Sequence, residues 1–136
     1  TYNLPETMDE FYTAFKEALS DIGKSELHDR IDAHINAKRP SVHKVAELVR
    51  AHGYDIHQIY PSFFKMRYAT AEAFLNHPFI IATFKEAWDA LIDECDADDI
   101  YSRVADKLNE KAEKEGEVCM NIPFACFDCE KKKEEE

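Results

Sequence analysis

Cys126 and Cys129, with Cys119 just upstream, are the residues whose types first suggest chemistry, because paired thiolates can hold zinc or cycle between thiol and disulfide. Their setting argues against both. The alternation Val118, Met120, Ile122, Phe124, Cys126 against Cys119, Asn121, Pro123, Ala125 is that of a strand. Residues three apart on a strand point to opposite faces and lie ~10 Å apart. No second paired motif completes a four-ligand set, so reduced, metal-free thiols are expected. The six histidines are equally dispersed. His28 and His34 share a helix at a spacing of six, His43 and His52 are nine apart, and neither pair has the i,i+4 spacing of a helical metal site.

His57 completes that scatter, and His77 stands apart from it, at a helix break before Pro78 among Phe74, Phe79 and Phe84. It can cap the next helix, make a core hydrogen bond, or face a substrate. Arg67 shares a strand face with Lys65 and Phe63, where it can snorkel at an edge or contact a substrate carboxylate. Phe74, Phe79, Phe84 and Trp88 form an aromatic stripe suited to a core or to the wall of a binding site. Arg67, His77, Phe84 and Trp88 are therefore the candidate substrate-binding residues. No catalytic residue and no metal ligand is assigned.

Composition narrows the classes. A chain of 136 residues with 45% hydrophobic and 33% charged residues is long enough for one cored domain. A net charge of -11 excludes a phosphate-backbone partner, so no nucleic acid is expected. Apolar runs such as Phe79-Ile80-Ile81-Ala82 are too short to span a bilayer, and no signal-peptide pattern opens the chain. A cytoplasmic protein without a membrane partner is the expectation. Only three glycines occur, Gly23, Gly53 and Gly116, and they are widely separated. A nucleotide-type phosphate loop needs clustered glycines, and none can be built from these.

The elements that position these residues follow from periodicity. Thr7-Met8-Asp9-Glu10 reads as a capping box before Phe11, Phe15, Ala18, Leu19 and Ile22, closed by Gly23. Ser25 is placed to cap a helix with Leu27, Ile31 and Ile35, ending at Arg39-Pro40. Ser41 is placed to cap a third, with Val42, Val45, Leu48 and Val49, ended by Gly53. Ile56, Ile59 and Tyr60 suggest a strand with Pro61 at an edge or bulge, and Phe64, Met66 and Tyr68 alternate after it. Helical spacing returns at Ala71–Leu75, breaks at His77-Pro78, and resumes through Ile81, Phe84, Trp88, Leu91 and Ile92. A last helix, capped by Asp96 or Asp98, carries Ile100, Val104 and Leu108 to Gly116, before the late strand. The fold class is α+β and predominantly helical, with five or six helices and two or three strands in a small antiparallel sheet. Residues 1–130 form one domain and 131–136 a charged tail.

Four stretches in this order resemble the C-terminal part of class I S-adenosylmethionine-dependent methyltransferases. They are Met8–Tyr12, Leu48–Tyr54, Phe64–Ala69 with Phe74–Ile80, and Val118–Cys126. In that family a helix closing in a leucine-x-x-alanine-glycine-phenylalanine phrase feeds the sixth strand. A helical insertion, a last helix and the seventh strand follow. The resemblance implies the sixth- and seventh-strand edge of a Rossmann-like sheet with a helical cap over the active-site mouth. It implies methyl transfer to a small-molecule substrate as the parent activity. The family's cofactor site, a glycine-rich turn after the first strand and an acid ending the second, has no counterpart here. S-adenosylmethionine thus belongs to the parent family and is not expected to bind this chain alone. The expected partner is a missing N-terminal half or a second copy, because Val118, Met120, Ile122, Phe124, Phe64 and Met66 would otherwise expose apolar faces. From another class, the chain reads as a stand-alone helix-rich binding module without catalysis.

Overall fold

The computed structural model describes residues 1–134. Its elements are β1 (Tyr2–Asn3), α1 (Asp9–Asp21), α2 (His28–Lys38), α3 (Val42–Ala51), β2 (Tyr54–Tyr68), α4 (Ala71–Leu75), α5 (Pro78–Ile80), a π-helical turn (Ile81–Lys85), α6 (Glu86–Asp89), α7 (Ala97–Glu115) and β3 (Val118–Lys131). The α+β class and the small antiparallel sheet expected from periodicity are both present. β3, last in the chain, lies in the middle of the order β1-β3-β2 and runs antiparallel to both neighbours. Glu135 and Glu136, the end of the expected charged tail, lie outside the described residues, and Lys131 still pairs with Tyr54.

Each glycine stops a helix, as its position suggests. Gly116 shows why: it holds φ 89° at the end of α7, where its N–H donates to Ala112 O, a backbone shape that residues with a Cβ avoid. Ser41 caps α3 by accepting the Lys44 N–H. The two strand segments expected between Tyr54 and Tyr68 are one 15-residue strand with an irregularity at His57. Pro61 is accommodated because β2 is an edge strand.

Three expected caps are replaced by other bonds. Thr7 is buried and donates its hydroxyl to Leu4 O, while Met8 takes the N-cap of α1 in the left-handed region at φ 55°. Glu10 does not close a capping box. Its carboxylate accepts the Asn121 backbone N–H, at 3.1 Å for the nearer oxygen, as well as the Asn121 side-chain amide. Ser25 opens a short 3₁₀ turn and donates to Ser20 rather than capping α2. Asp96 occupies the N-cap of α7 without a capping bond, because its carboxylate is held by Lys24, which also reaches Asp93 at 3.1 Å. The cap that periodicity did not single out is Thr70, which accepts the Ala73 N–H at the start of α4.

The core is aromatic. Phe11 stacks on Trp88 with centroids 3.8 Å apart and also meets Tyr12, Phe15 and Phe74. α1 and α7 pack together over one face of β3 and bury Val118, Met120 and Ile122. The expectation that this strand face is exposed is therefore corrected: the chain's own helices cover it. Met66 also packs against the core. Ala125 and Phe127 alternate with those residues onto the opposite face. Tyr2, paired with Ala125, meets the Phe127 ring there at 6.0 Å and donates its hydroxyl to Pro40 O, at the joint between α2 and α3. Helices thus lie on both faces, and each covers only part of the sheet. Phe63 (64% exposed), Phe64 (50%) and Tyr60 (52%) remain open to solvent.

Met8 and Glu10 close the β3 edge at Asn121, since Met8 N–H donates to Asn121 O beside the carboxylate contact. Glu10→Ala leaves the Asn121 amide without its acceptor and is expected to cost about 1–3 kcal/mol in urea unfolding. Glu10→Gln, which retains an acceptor, is expected to cost less. Equal losses for the two variants would contradict this assignment.

Candidate functional site

The helical segment between β2 and β3 holds the best-formed cleft. It has a volume of 310 Å³ and is lined by Glu72, Asn76, Lys85, Trp88, Tyr101 and Asp106, among others. α4 and its C-cap contribute Glu72 and Asn76, the π turn and α6 contribute Lys85 and Trp88, and α7 contributes Tyr101 and Asp106. A π turn carries an extra residue per turn and so changes which side chains share a face. Here Lys85 faces the cleft while its neighbour Phe84 meets the end of α2. Periodicity found this helix but carried no signal for its widened turn.

Asp89, outside the lining, ties together two residues of the cleft's polar wall. It accepts the Tyr101 hydroxyl at 2.6 Å and the Lys85 ammonium at 3.0 Å, and Lys85 lies 5.0 Å above the Tyr101 ring. Burial, reinforced by Asp89, pushes the Tyr101 phenol well above its ordinary range, so it stays a neutral donor. Asn109 accepts the Ala71 N–H and donates to both Glu72 oxygens. That side-chain bond, aided by backbone and Thr70 contacts, holds the Glu72 carboxyl below its ordinary value. The cleft therefore combines the fixed Glu72 carboxylate, the Asp106 carboxylate, a paired ammonium and an apolar indole floor. Such a surface offers hydrogen-bond acceptors that match amine or hydroxyl donors.

The four candidate residues are not gathered into this cleft. Trp88 forms part of its floor but is 1% exposed, and its indole N–H donates to Tyr12 O–H at 3.1 Å inside the core. Phe84 stacks on Trp88 with centroids 5.7 Å apart and carries Lys38 Nζ 4.6 Å above its ring. His77 caps α5 by accepting the Phe79 N–H and meets the Tyr68 ring edge-on at 5.7 Å. Arg67, 62% exposed at its side chain, pairs with Glu117 at 3.1 Å where β2 ends and β3 begins. Sequence reasoning missed Lys85, Asp89 and Tyr101. Lys85 and Asp89 carried the signal of an i,i+4 pair.

The four cysteines are free thiols, Cys95 exposed and the others half-buried. Among the described residues no three His, Cys, Asp or Glu side chains gather where they could hold a metal, and no helix is long and apolar enough to cross a membrane. No protein-family model matches the chain, and no curated protein or solved structure does either.

His34, on α2, is a further titrating group with a displaced pKa. Burial first, then Lys38 and Arg39, hold it below 6.5. A depressed histidine pKa stabilises the fold fully above about pH 6.5, where both states are neutral. That contribution is lost as pH falls from the unfolded value through the folded one, because the unfolded chain takes up the proton more readily. The melting temperature is expected to fall between about pH 7 and about pH 5, and to fall less in a His34→Gln variant. Superimposable pH profiles would remove His34 as the cause.

Proposed function

We propose that the chain is the C-terminal segment of an S-adenosylmethionine-dependent methyltransferase, supplying the edge of a larger sheet and a helical cap that binds the methyl acceptor. The observation that carries this reading is the sheet itself. Its last strand lies between β1 and a 15-residue edge strand, while Tyr60, Phe63 and Phe64 stand open on its two faces. Three strands with partly covered faces fit the margin of a bigger sheet better than a finished one. Support also comes from local order: a glycine-ended helix (α3, Gly53) feeds β2, a helical insertion follows, and the final strand returns antiparallel. In this reading the cleft of Glu72, Lys85 and Tyr101 receives the acceptor, and cofactor binding depends on residues outside these 136.

A second reading, a helix-rich binding module without catalysis, is favoured by one specific finding. Val118, Met120 and Ile122 are already buried by α1 and α7, so the molecule has a core of its own.

The coding sequence upstream of Thr1 separates the two. A strand followed by a glycine-rich turn, with an acid ending the next strand, is expected under the methyltransferase reading. A start codon immediately before Thr1 would end it. By calorimetry, residues 1–136 alone are expected to show no saturable S-adenosylmethionine binding, and the protein with its upstream half is expected to bind. Saturable binding to the 136-residue chain would refute the assignment of the cofactor site to the other half.

A further inference from the structure

We propose that the joint between α2 and the π-helical turn is an oxyanion-binding site, in which Arg39, Lys38 and His34 hold a carboxylate or phosphate group beside the Phe84 ring. The proposal stands on this cluster's geometry and is independent of the methyltransferase reading.

Arg39 is 4% exposed, and its Nη1 has no hydrogen-bond partner. An arginine cannot discard its proton to escape burial, so a buried guanidinium is stable only against acceptors or an anion. The guanidinium carbon lies 6.0 Å from the Phe84 centroid, a cation–π contact that leaves the Nη1 donors unanswered. Lys38 adds a second cation 4.6 Å from the same ring, and burial together with Arg39 lowers its pKa. Among the described residues neither Lys38 nor Arg39 has an acidic partner, although the chain holds 28 acids against 17 bases. His34, one turn before Lys38 on the same face of α2, has a buried Nε2 that is also without a partner. Three basic groups thus converge where the fold supplies no counter-charge.

The cluster is graded toward solvent. Arg39 is buried, His34 and Phe84 are half-buried, and Lys38 is exposed. A ligand entering beside Lys38 therefore meets the guanidinium at the inner end. A flat fork of N–H donors with an adjacent ammonium matches the oxygens of a carboxylate or phosphate. Such a group would also offer His34 Nε2 an acceptor once that nitrogen is protonated.

The test is titration of the 136-residue chain with sodium phosphate and, separately, sodium acetate, at ionic strength held constant with sodium chloride. Backbone amide chemical shifts and the melting temperature are followed. At least one anion is expected to give saturable shifts confined to His34–Arg39 and Ile81–Lys85, and to raise the melting temperature as a ligand of the folded state does. Phosphate alone acting identifies a phosphate site, acetate alone a carboxylate site, and either supports the proposal. Lys38→Ala is expected to weaken the apparent affinity roughly tenfold, the effect of one charge-assisted contact. Arg39→Gln is expected to abolish binding; should that variant fail to fold, the exposed Lys38→Ala carries the comparison. No saturable shift with either anion, shifts scattered over surface lysines, or binding unchanged in Lys38→Ala would overturn the proposal.

Discussion

The stack of Phe11 on Trp88 joins the first helix to the helical segment in the middle of the chain. Their centroids are 3.8 Å apart, and the Trp88 indole N–H bonds to Tyr12, 76 positions away in sequence. Aromatic burial and a satisfied polar handle act together here, so the contact is both strong and directional. It pins α1 against the helical segment that follows β2. With Phe15 and Phe74 attached, it decides where α7 can lie and therefore which face of β3 is covered. Where Phe84 and Lys85 point follows from the same anchor, because the π turn ends one step before α6 and Trp88.

β3 carries the second constraint. A strand between two antiparallel neighbours needs bonding groups along both edges. β2 supplies one edge over almost the whole length of β3. The other edge is answered in pieces: by Tyr2 and Asn3, by Leu4 N–H on Pro123 O, and by Met8 and the Glu10 carboxylate at Asn121. A left-handed backbone at Met8, which costs roughly 1–2 kcal/mol in a residue with a Cβ, aims its N–H at Asn121. That strain is offset by complete burial of the Met8 side chain.

Charge is distributed unevenly on this frame. Several surface cations are paired: Lys24 with Asp93 and Asp96, Lys107 and Arg103 with Asp21, Lys85 with Asp89. These contacts tie helix ends together at the surface, where each contributes little alone. The end of α2 departs from the pattern, with Arg39 drawn inward against Phe84 and no acid beside it. The molecule thus has two chemically opposite places: an acid-rich cleft on the α7 side and a basic joint on the α2 side.

What the sequence determined by itself was everything set by neighbours within a few residues. Gly23, Gly53 and Gly116 ended helices, Ser41 capped one, and the apolar spacing of Phe11, Phe15, Leu19 and of Ile100, Val104, Leu108 marked buried stripes. Alternation likewise marked β2 and β3, and the α+β class with them. Of the site, periodicity located Phe84 and Trp88 in a helix without showing that one meets α2 and the other the core. Tertiary structure decided the rest. β1 is two residues long and has no pattern of its own until β3 pairs with it. Glu10 satisfies a local capping motif, yet its carboxylate is taken by Asn121, 111 positions away. Arg39 reads as a polar helix end until the π turn closes over it. Local patterns report bonds within one turn or one strand. A donor's final acceptor, and whether a charge is buried, depend on which distant segment packing brings beside it.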